Sequence, residues 1–311
     1  MISRSRLTVL MSVYNGAPYL RESVESILRQ SYRDFRFVVV DDGSTDASAA
    51  ILMSYRDPRV VFIPQENRGL AAALNRGLGE ATGEFIARQD QDDISLPGRL
   101  AAQLRHMEEH PEVGVLGTRA QVVTADGSPT FVPQQATHPT IVKWMLLFGN
   151  QLTHSSVMIR RRAIETVGAY TTDPGRQPPE DYELWSRIAG RWEVANLPDV
   201  WLKNREVPGS MTRDANHPLE GTVAKLSLEN MRRLDVPGIS DARLNRIRDF
   251  VVGRGVPRGP GEMLAVLRDL WTLERRFCMH QRLPARSMLA LKLHNRRRLL
   301  RRILPTATKV R

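Results

Sequence analysis

Phe35-Arg36-Phe37-Val38-Val39-Val40, followed at once by Asp41-Asp42-Gly43-Ser44-Thr45-Asp46, is the stretch on which the architecture turns. A short β-rich run that stops at a cluster of Asp, Gly and Ser reads as a strand and the turn that ends it. The same junction occurs on either side. Leu7 to Val13 runs into Tyr14-Asn15-Gly16, and a strand at Glu84 to Ala87 precedes Asp90-Gln91-Asp92-Asp93. Helical patterns lie between: Leu20 to Gln30, with Leu20, Val24, Ile27 and Leu28 on one face, then Ala47 to Tyr55 and Leu70 to Ala81. Val60 to Pro64 reads as a further short strand. Strand and helix in alternation indicate βαβ units and a largely parallel sheet.

Open sheets of this kind take ligands beyond the carboxyl ends of their strands. The two acidic clusters, and a third at Glu180-Asp181, are therefore expected to line one pocket. Carboxylates so gathered suit a divalent metal and a phosphorylated substrate. Farther along, Ser95-Leu96-Pro97 resembles a helix entry, with Ser95 as cap and Pro97 in the first turn of a helix reaching His110. Val113 to Val123 reads as a strand, and Thr124 to Pro139 as a hairpin or surface loop. A strand at Ser156 to Ile159, a Gly/Pro-rich loop at Asp173 to Pro179 and a helix at Asp181 to Ala189 follow. After about Asn216 the chain turns helical and basic, with helices expected at Leu219 to Leu234, Asp241 to Val252, Gly261 to His280 and Arg286 to Ile303.

With 311 residues, 41% of them hydrophobic and 25% charged, the composition is that of a globular protein and excludes disorder as the default. The net charge of +11 suggests a nucleic-acid partner until it is located: nine basic residues and no acid lie between Arg286 and Arg311. The rest of the chain is nearly neutral, which makes nucleic acid an unfavoured partner. A single cysteine, Cys278, excludes an internal disulfide and fits a reducing, cytoplasmic setting. Leu7 to Val13 is too short for a signal peptide's apolar core followed by a cleavage site, and no apolar run reaches the roughly 18 residues of a spanning helix.

Five motifs in order, Val13-Tyr14-Asn15-Gly16, Asp41 to Asp46, Asn67-Arg68-Gly69-Leu70 with Ala73-Leu74-Asn75, Asp90-Gln91-Asp92-Asp93, and Glu180-Asp181 with Leu184-Trp185, resemble those of family 2 inverting glycosyltransferases. The resemblance covers roughly residues 5 to 215. It implies an α/β architecture of the GT-A type, a Rossmann-like open mixed sheet flanked by helices, with residues 1–218 as catalytic domain and 219–311 as a helical, basic C-terminal extension. It also implies a nucleoside diphosphate sugar as donor, a UDP-sugar by preference, and a glycan or lipid-linked glycan of surface polysaccharide biosynthesis as acceptor.

Departure of a diphosphate builds negative charge that a cation must meet, and Mn²⁺ or Mg²⁺ on one or two carboxylates meets it. By resemblance Asp92 is the metal ligand and Asp90 a sugar, ribose or metal-water contact, while Asp93 favours the N-terminus of the following helix. Asp41 is expected at the nucleobase or ribose, with Asp42 beside it and Ser12 and Tyr14 on the opposite wall. For Asp42, Gly43 and Ser44 a turn without ligand is an equal reading. Arg68 is a candidate phosphate partner, with Gly69 allowing close backbone approach. Asp181 matches the general base that takes the acceptor's proton, and Leu184, Trp185 and Ile188 share its helical face. His154 is an isolated histidine with either a structural or a direct role.

One motif departs from the family: where relatives carry Arg-x-His, this chain has Asn204-Arg205-Glu206-Val207. Arg205 and Arg213 are then expected to offset the diphosphate charge. In the tail, Leu289, Leu293, Leu300 and Ile303 among arginines suggest a basic amphipathic helix suited to an anionic membrane, which would make the enzyme peripheral on the cytoplasmic face. Two other readings compete. A non-catalytic relative would use the tail to bind membrane or nucleic acid, although it has no chemical need of three acidic clusters. A nucleotidyltransferase would want a Gly/Lys-rich phosphate loop after the first strand, and Tyr14-Asn15-Gly16 is not one.

Overall fold

The computed structural model describes residues 5–207 and 219–303. Arg213, Lys309 and Arg311 lie outside the described residues, as do the side chains of residues 301–303, Ile303 among them. The element order is β1 (Leu7–Val13), α1 (Ala17–Leu28), β2 (Phe35–Asp42), α2 (Ser48–Met53), β3 (Val60–Gln65), α3 (Leu70–Glu80), β4 (Phe85–Gln89), β5 (Ile94–Ser95), α4 (Arg99–Glu109) and β6 (Val113–Val123). It continues with α5 (Pro139–Leu146), β7 (Met158–Arg160), α6 (Arg161–Val167), α7 (Glu180–Ala189), β8 (Glu193–Arg205), α8 (Leu219–Arg232), α9 (Asp241–Val252), α10 (Pro260–His280) and α11 (Ala285–Ile303).

Eight strands form one mixed sheet in the order β3-β2-β1-β4-β7-β6-β8-β5. β1 lies between β2 and β4, parallel to both, with Val13 opposite Asp41 and Met11 opposite Gln89. Alternate residues feed the two faces. Leu10, Val38 and Val40 pack with Leu74 of α3, Val142 of α5 and Trp185 of α7. Val9, Met11, Phe37 and Val39 pack with Leu20 and Val24 of α1 and Leu104 of α4. Burial of a side chain such as Phe37 contributes about 1.5–3 kcal/mol. Helices on both faces leave the strand ends as the natural opening.

Helices α8 to α11 are not detached from this body. Met231, Leu244, Ile247, Leu273, Phe277 and Leu291 share a core with Trp144 and Phe148 at the end of α5. The Trp144 Nε1–H donates to Asn295 Oδ1 at 3.0 Å.

Several expectations are corrected. The second strand runs through Asp42, so the first two acids are the last residues of β2 rather than part of a turn. Ser95 is no helix cap: it belongs to β5, opposite Leu202, and its hydroxyl donates to Gln89 Oε1 at 2.7 Å. The helix starts at Arg99 with Gly98 before it, so Pro97 precedes the first turn. Ser156 closes a 3-10 turn at His154–Ser156 instead of opening a strand, which begins at Met158. Thr124 to Pro139 starts as a hairpin, with Thr130 N–H donating to Val122 O at 2.9 Å, and Pro139 opens α5.

Candidate active site

Because β2, β1 and β4 are adjacent and parallel, their carboxyl ends reach the same edge of the sheet. Ser12 lies in β1 and Tyr14 just after it, Asp41 and Asp42 end β2, and the Asp90 to Asp93 cluster follows β4. The strand order reverses between β1 and β4, the position where open sheets bind ligands.

Side chains of the motifs fasten these ends together. Gln91 clasps β1 at both backbone polar groups of Tyr14, accepting from its N–H at 2.8 Å and donating to its carbonyl at 3.1 Å. A Cβ on Gly16 would stand 2.5 Å from the Gln91 Oε1, so the clasp requires glycine there. Asp46 accepts from Ala17 N–H at 3.0 Å and Ser48 N–H at 2.9 Å, which ties the turn after β2 to α1. Gly43, at φ +76°, lies close enough to Asn67 that a Cβ would meet its backbone N at 2.7 Å.

The two aspartates ending β2 differ in what they have left to offer. Asp41 is buried and accepts from Ser44 N–H at 3.1 Å through Oδ1, with no described donor on Oδ2. Asp42 accepts from Gln65 Nε2 at 2.7 Å, Arg68 N–H at 2.9 Å and Gly69 N–H at 2.8 Å. Both oxygens of Asp42, a candidate donor contact, thus also hold the Gln65 side chain and the backbone leading into α3. Gly69 at φ +84° permits that entry. Arg68 is exposed, and no described residue pairs with its guanidinium. Tyr14 is 47% exposed at the rim, while Ser12 is buried.

In the second cluster each aspartate has a different setting. Asp90 pairs with the buried Arg88 at 2.5 Å. Asp92 has no side-chain donor among the described residues, and burial, reinforced by the Asp90 charge, raises its pKa to about 6. Asp93 is buried beneath them and raised to about 7 by burial, then by Asp90 and Asp92. It accepts from Asn204 Nδ2 at 3.0 Å, Arg205 N–H at 2.7 Å and the Ser155 hydroxyl. Asp93 therefore joins the loop to β8 instead of capping a helix.

Arg205 is held from three sides. Its guanidinium donates to Asp92 O at 3.0 Å, Ala125 O at 2.7 Å and Glu22 Oε2 at 2.6 Å, and lies over the Tyr19 ring. All three nitrogens are engaged, so Arg205 clamps the backbone of Asp92.

α7 brings the third cluster. Asp181 accepts from Tyr182 N–H at 2.6 Å and from Asn150 Nδ2 at 2.7 Å. Burial, then the Glu180 charge, raises its pKa to about 7. Leu184, Trp185 and Ile188 are buried on the helical face expected for them. The negative field of Asp90 reaches both Glu180 and Asp181, and the positive field of Arg88 reaches Asp92, Glu180 and His154, so the second and third clusters lie within electrostatic reach of each other. Burial pushes His154 down to about 3, leaving it a neutral ring at 2.9 Å from the Tyr170 hydroxyl. Its other ring nitrogen lies 3.8 Å from Glu180 Oε1. Arg88, Asn150, Ser155 and Asn204 had escaped the sequence reading; only Arg88, a charge inside an apolar strand, carried a signal.

Among the described residues no three His, Cys, Asp or Glu side chains are grouped to hold a metal by themselves. An unpartnered Asp92 beside Asp90 instead matches a Mg²⁺ or Mn²⁺ site of one or two carboxylates completed by phosphate oxygens and water.

The family model for glycosyl transferase family 2 matches residues 8–168. EpsE of Bacillus subtilis (strain 168) is 32% identical over 245 residues, 76% of this chain and 86% of that protein. The amylovoran biosynthesis glycosyltransferase AmsE of Erwinia amylovora is 33% identical over 204 residues, covering 64% of this chain and 75% of its own. Among solved structures, residues 1–349 of S. aureus TarS in complex with UDP-GlcNAc superpose with a TM-score of 0.63 at 18% identity, over 91% of this chain and 82% of that one. The strand-end geometry, the motifs and these likenesses agree: the chain is a glycosyltransferase of GT-A fold and belongs to glycosyl transferase family 2.

Proposed function

We propose that this glycosyltransferase moves a sugar from a UDP-sugar to a hydroxyl of a glycan or lipid-linked glycan, in surface polysaccharide synthesis, with inversion at the anomeric carbon. The observation that carries the reading is the nearness of the second and third acidic clusters, the charge of Asp90 acting on both Asp92 and Asp181. Ser12, Tyr14 and Asp41 hold the base and ribose, the free oxygen of Asp41 accepting a donor N–H or hydroxyl. Arg68 pairs with phosphate. Asp90 contacts sugar, ribose or a metal-bound water, and Asp92 holds Mn²⁺ or Mg²⁺. When bound, the cation offsets the charge that gathers on the leaving diphosphate.

Asp181, ionised, takes the proton of the acceptor hydroxyl as that oxygen bonds to the anomeric carbon. The bond from that carbon to the diphosphate breaks on the opposite face, and the configuration inverts in one displacement. Asp42 and Arg205 contact the donor as well as positioning these groups, and Asp93 positions them from beneath. Residues 1–218 form the catalytic unit and 219–311 the extension. The lone Cys278 suits a cytoplasmic setting, and a lipid-linked acceptor would bring the enzyme to the membrane surface.

Calorimetric titration tests the donor site. UDP binds with Mn²⁺ present, and Asp92→Asn lowers the affinity at least about tenfold, the loss of roughly one charge-assisted contact. Unchanged affinity removes Asp92 from the metal site.

A further inference from the structure

Helices α10 and α11 carry six of the ten large apolar side chains exposed on the described surface: Leu264, Trp271 and Met279, then Leu289, Leu293 and Leu300. Trp271 is 61% exposed and Leu264 68%. Their spacing is ordered. Leu264, Arg268, Trp271, Arg275 and Met279 recur every three or four residues and form one solvent-facing stripe, opposite the buried Val266, Leu270, Leu273 and Phe277. On α11, Arg286, Leu289, Leu293, Arg296, Arg297 and Leu300 do the same, opposite the buried Leu291 and Asn295.

The acidic side chains of α10 are buried or engaged, and of these Asp269 lies 3.6 Å from Arg268 of the stripe. Asp269 is buried and held by Arg243 at 2.7 Å, and Glu274 is buried and accepts from Asn295 Nδ2 at 2.5 Å. Glu262, in the first turn of α10, accepts from Arg258 N–H at 2.7 Å and lies 3.8 Å from Arg246. α11 contains no Asp or Glu. The Asn295 bridge between Glu274 and Trp144 fixes the two helices to each other and to α5.

We propose that the outer faces of α10 and α11 dock the enzyme on an anionic lipid surface. A bilayer interface uses both components of the stripes: arginines reach headgroup phosphates while tryptophan and leucine enter the acyl boundary. Nucleic acid would engage the arginines and leave the leucines and Met279 in water. A second copy of the chain would set arginine-rich faces against each other. Among the described residues no helix is long and apolar enough to cross a membrane, so the contact is interfacial. The docking surface stands independently of the catalytic assignments.

Co-sedimentation of the full chain with vesicles of phosphatidylcholine, alone or mixed equally with phosphatidylglycerol, tests it without donor or acceptor. Partitioning onto the anionic vesicles is at least about tenfold stronger and falls with salt. Arg275→Gln with Arg296→Gln lowers it about 25-fold, because each basic residue at the surface contributes about fivefold. Trp271→Ser with Leu293→Ser lowers it too, with the circular dichroism melt preserved. Of the five tryptophans only Trp271 is exposed, so brominated lipid quenches a fluorescence component that Trp271→Phe removes. Equal partitioning onto both vesicle types overturns the proposal. So does duplex DNA binding that matches the vesicle affinity with no lipid quenching, or a dimer that dissociates in the apolar double variant while vesicle binding is unchanged. Any of these leaves the catalytic reading intact.

Discussion

Asp181 is under opposed influences: burial and the Glu180 charge favour its proton, while the Tyr182 N–H and the Asn150 amide favour its charge. The result, about 7, is where a general base works best, since it is ionised at neutral pH yet still basic. Below that pH the reactive form declines tenfold per unit, so kcat/KM in the proposed transfer falls with unit slope on the acid side. Asn150→Ala removes a hydrogen bond to the charged form and moves that limb upward by on the order of one unit. A limb that stays in place would separate Asn150 from the base. Asp181→Asn retains UDP binding and loses about 10²- to 10⁴-fold in turnover; full turnover would eliminate it as the base. None of this tuning is visible in sequence, because Asn150 stands 31 positions from Asp181 and meets it only after the fold closes.

At the scale of elements, legibility followed periodicity. β1, β2 and α9 could be read because their apolar patterns are unbroken, and α9 coincides with its expected span, Asp241–Val252. β8 was missed because Pro198-Asp199 interrupts it; the register with β6 passes from Leu197 to Val200 and lets those two residues bulge. β4 was cut short because Arg88 and Gln89 are polar, yet both are buried. That the acidic motifs after β2 and β4 meet at one edge of the sheet was readable, but the partners of each oxygen were not, since they depend on which loop it faces. Asp41 and Asp42 test that dependence. Asp42→Ala removes the acceptor of Gln65 Nε2 and Arg68 N–H, leaves Gly69 N–H only Asn67 Oδ1, and lowers unfolding free energy by about 1–3 kcal/mol in urea titration. Asp41→Ala gives up one backbone bond, stays within about 1.5 kcal/mol of wild type, and weakens UDP instead. The reverse pattern would exchange the two roles.

For the whole molecule, the gathered carboxylates make stability depend on pH and on ligand. Asp92, near 6, and Asp93 and Asp181, near 7, hold protons more tightly in the fold than in the unfolded chain, where carboxylates titrate near 4. Their contribution is thus fully present below about pH 4 and is lost as pH rises toward 7, when buried carboxylates must carry charge. In the proposed reading a cation with UDP reverses this loss, because it binds the ionised form and competes with protons for it. Ligand at about 100 times its Kd adds about 2.7 kcal/mol, or on the order of 5 °C in Tm for a chain of this size. Thermal shift with Mn²⁺ and UDP at fixed concentrations is therefore expected to be large at pH 8 and at most half as large at pH 5.5. In Asp92→Asn the manganese-dependent part disappears at both. An equal or larger shift at pH 5.5 in the wild type would mean that the proton-holding carboxylates do not meet the cation, and the metal would have to be placed elsewhere on the molecule.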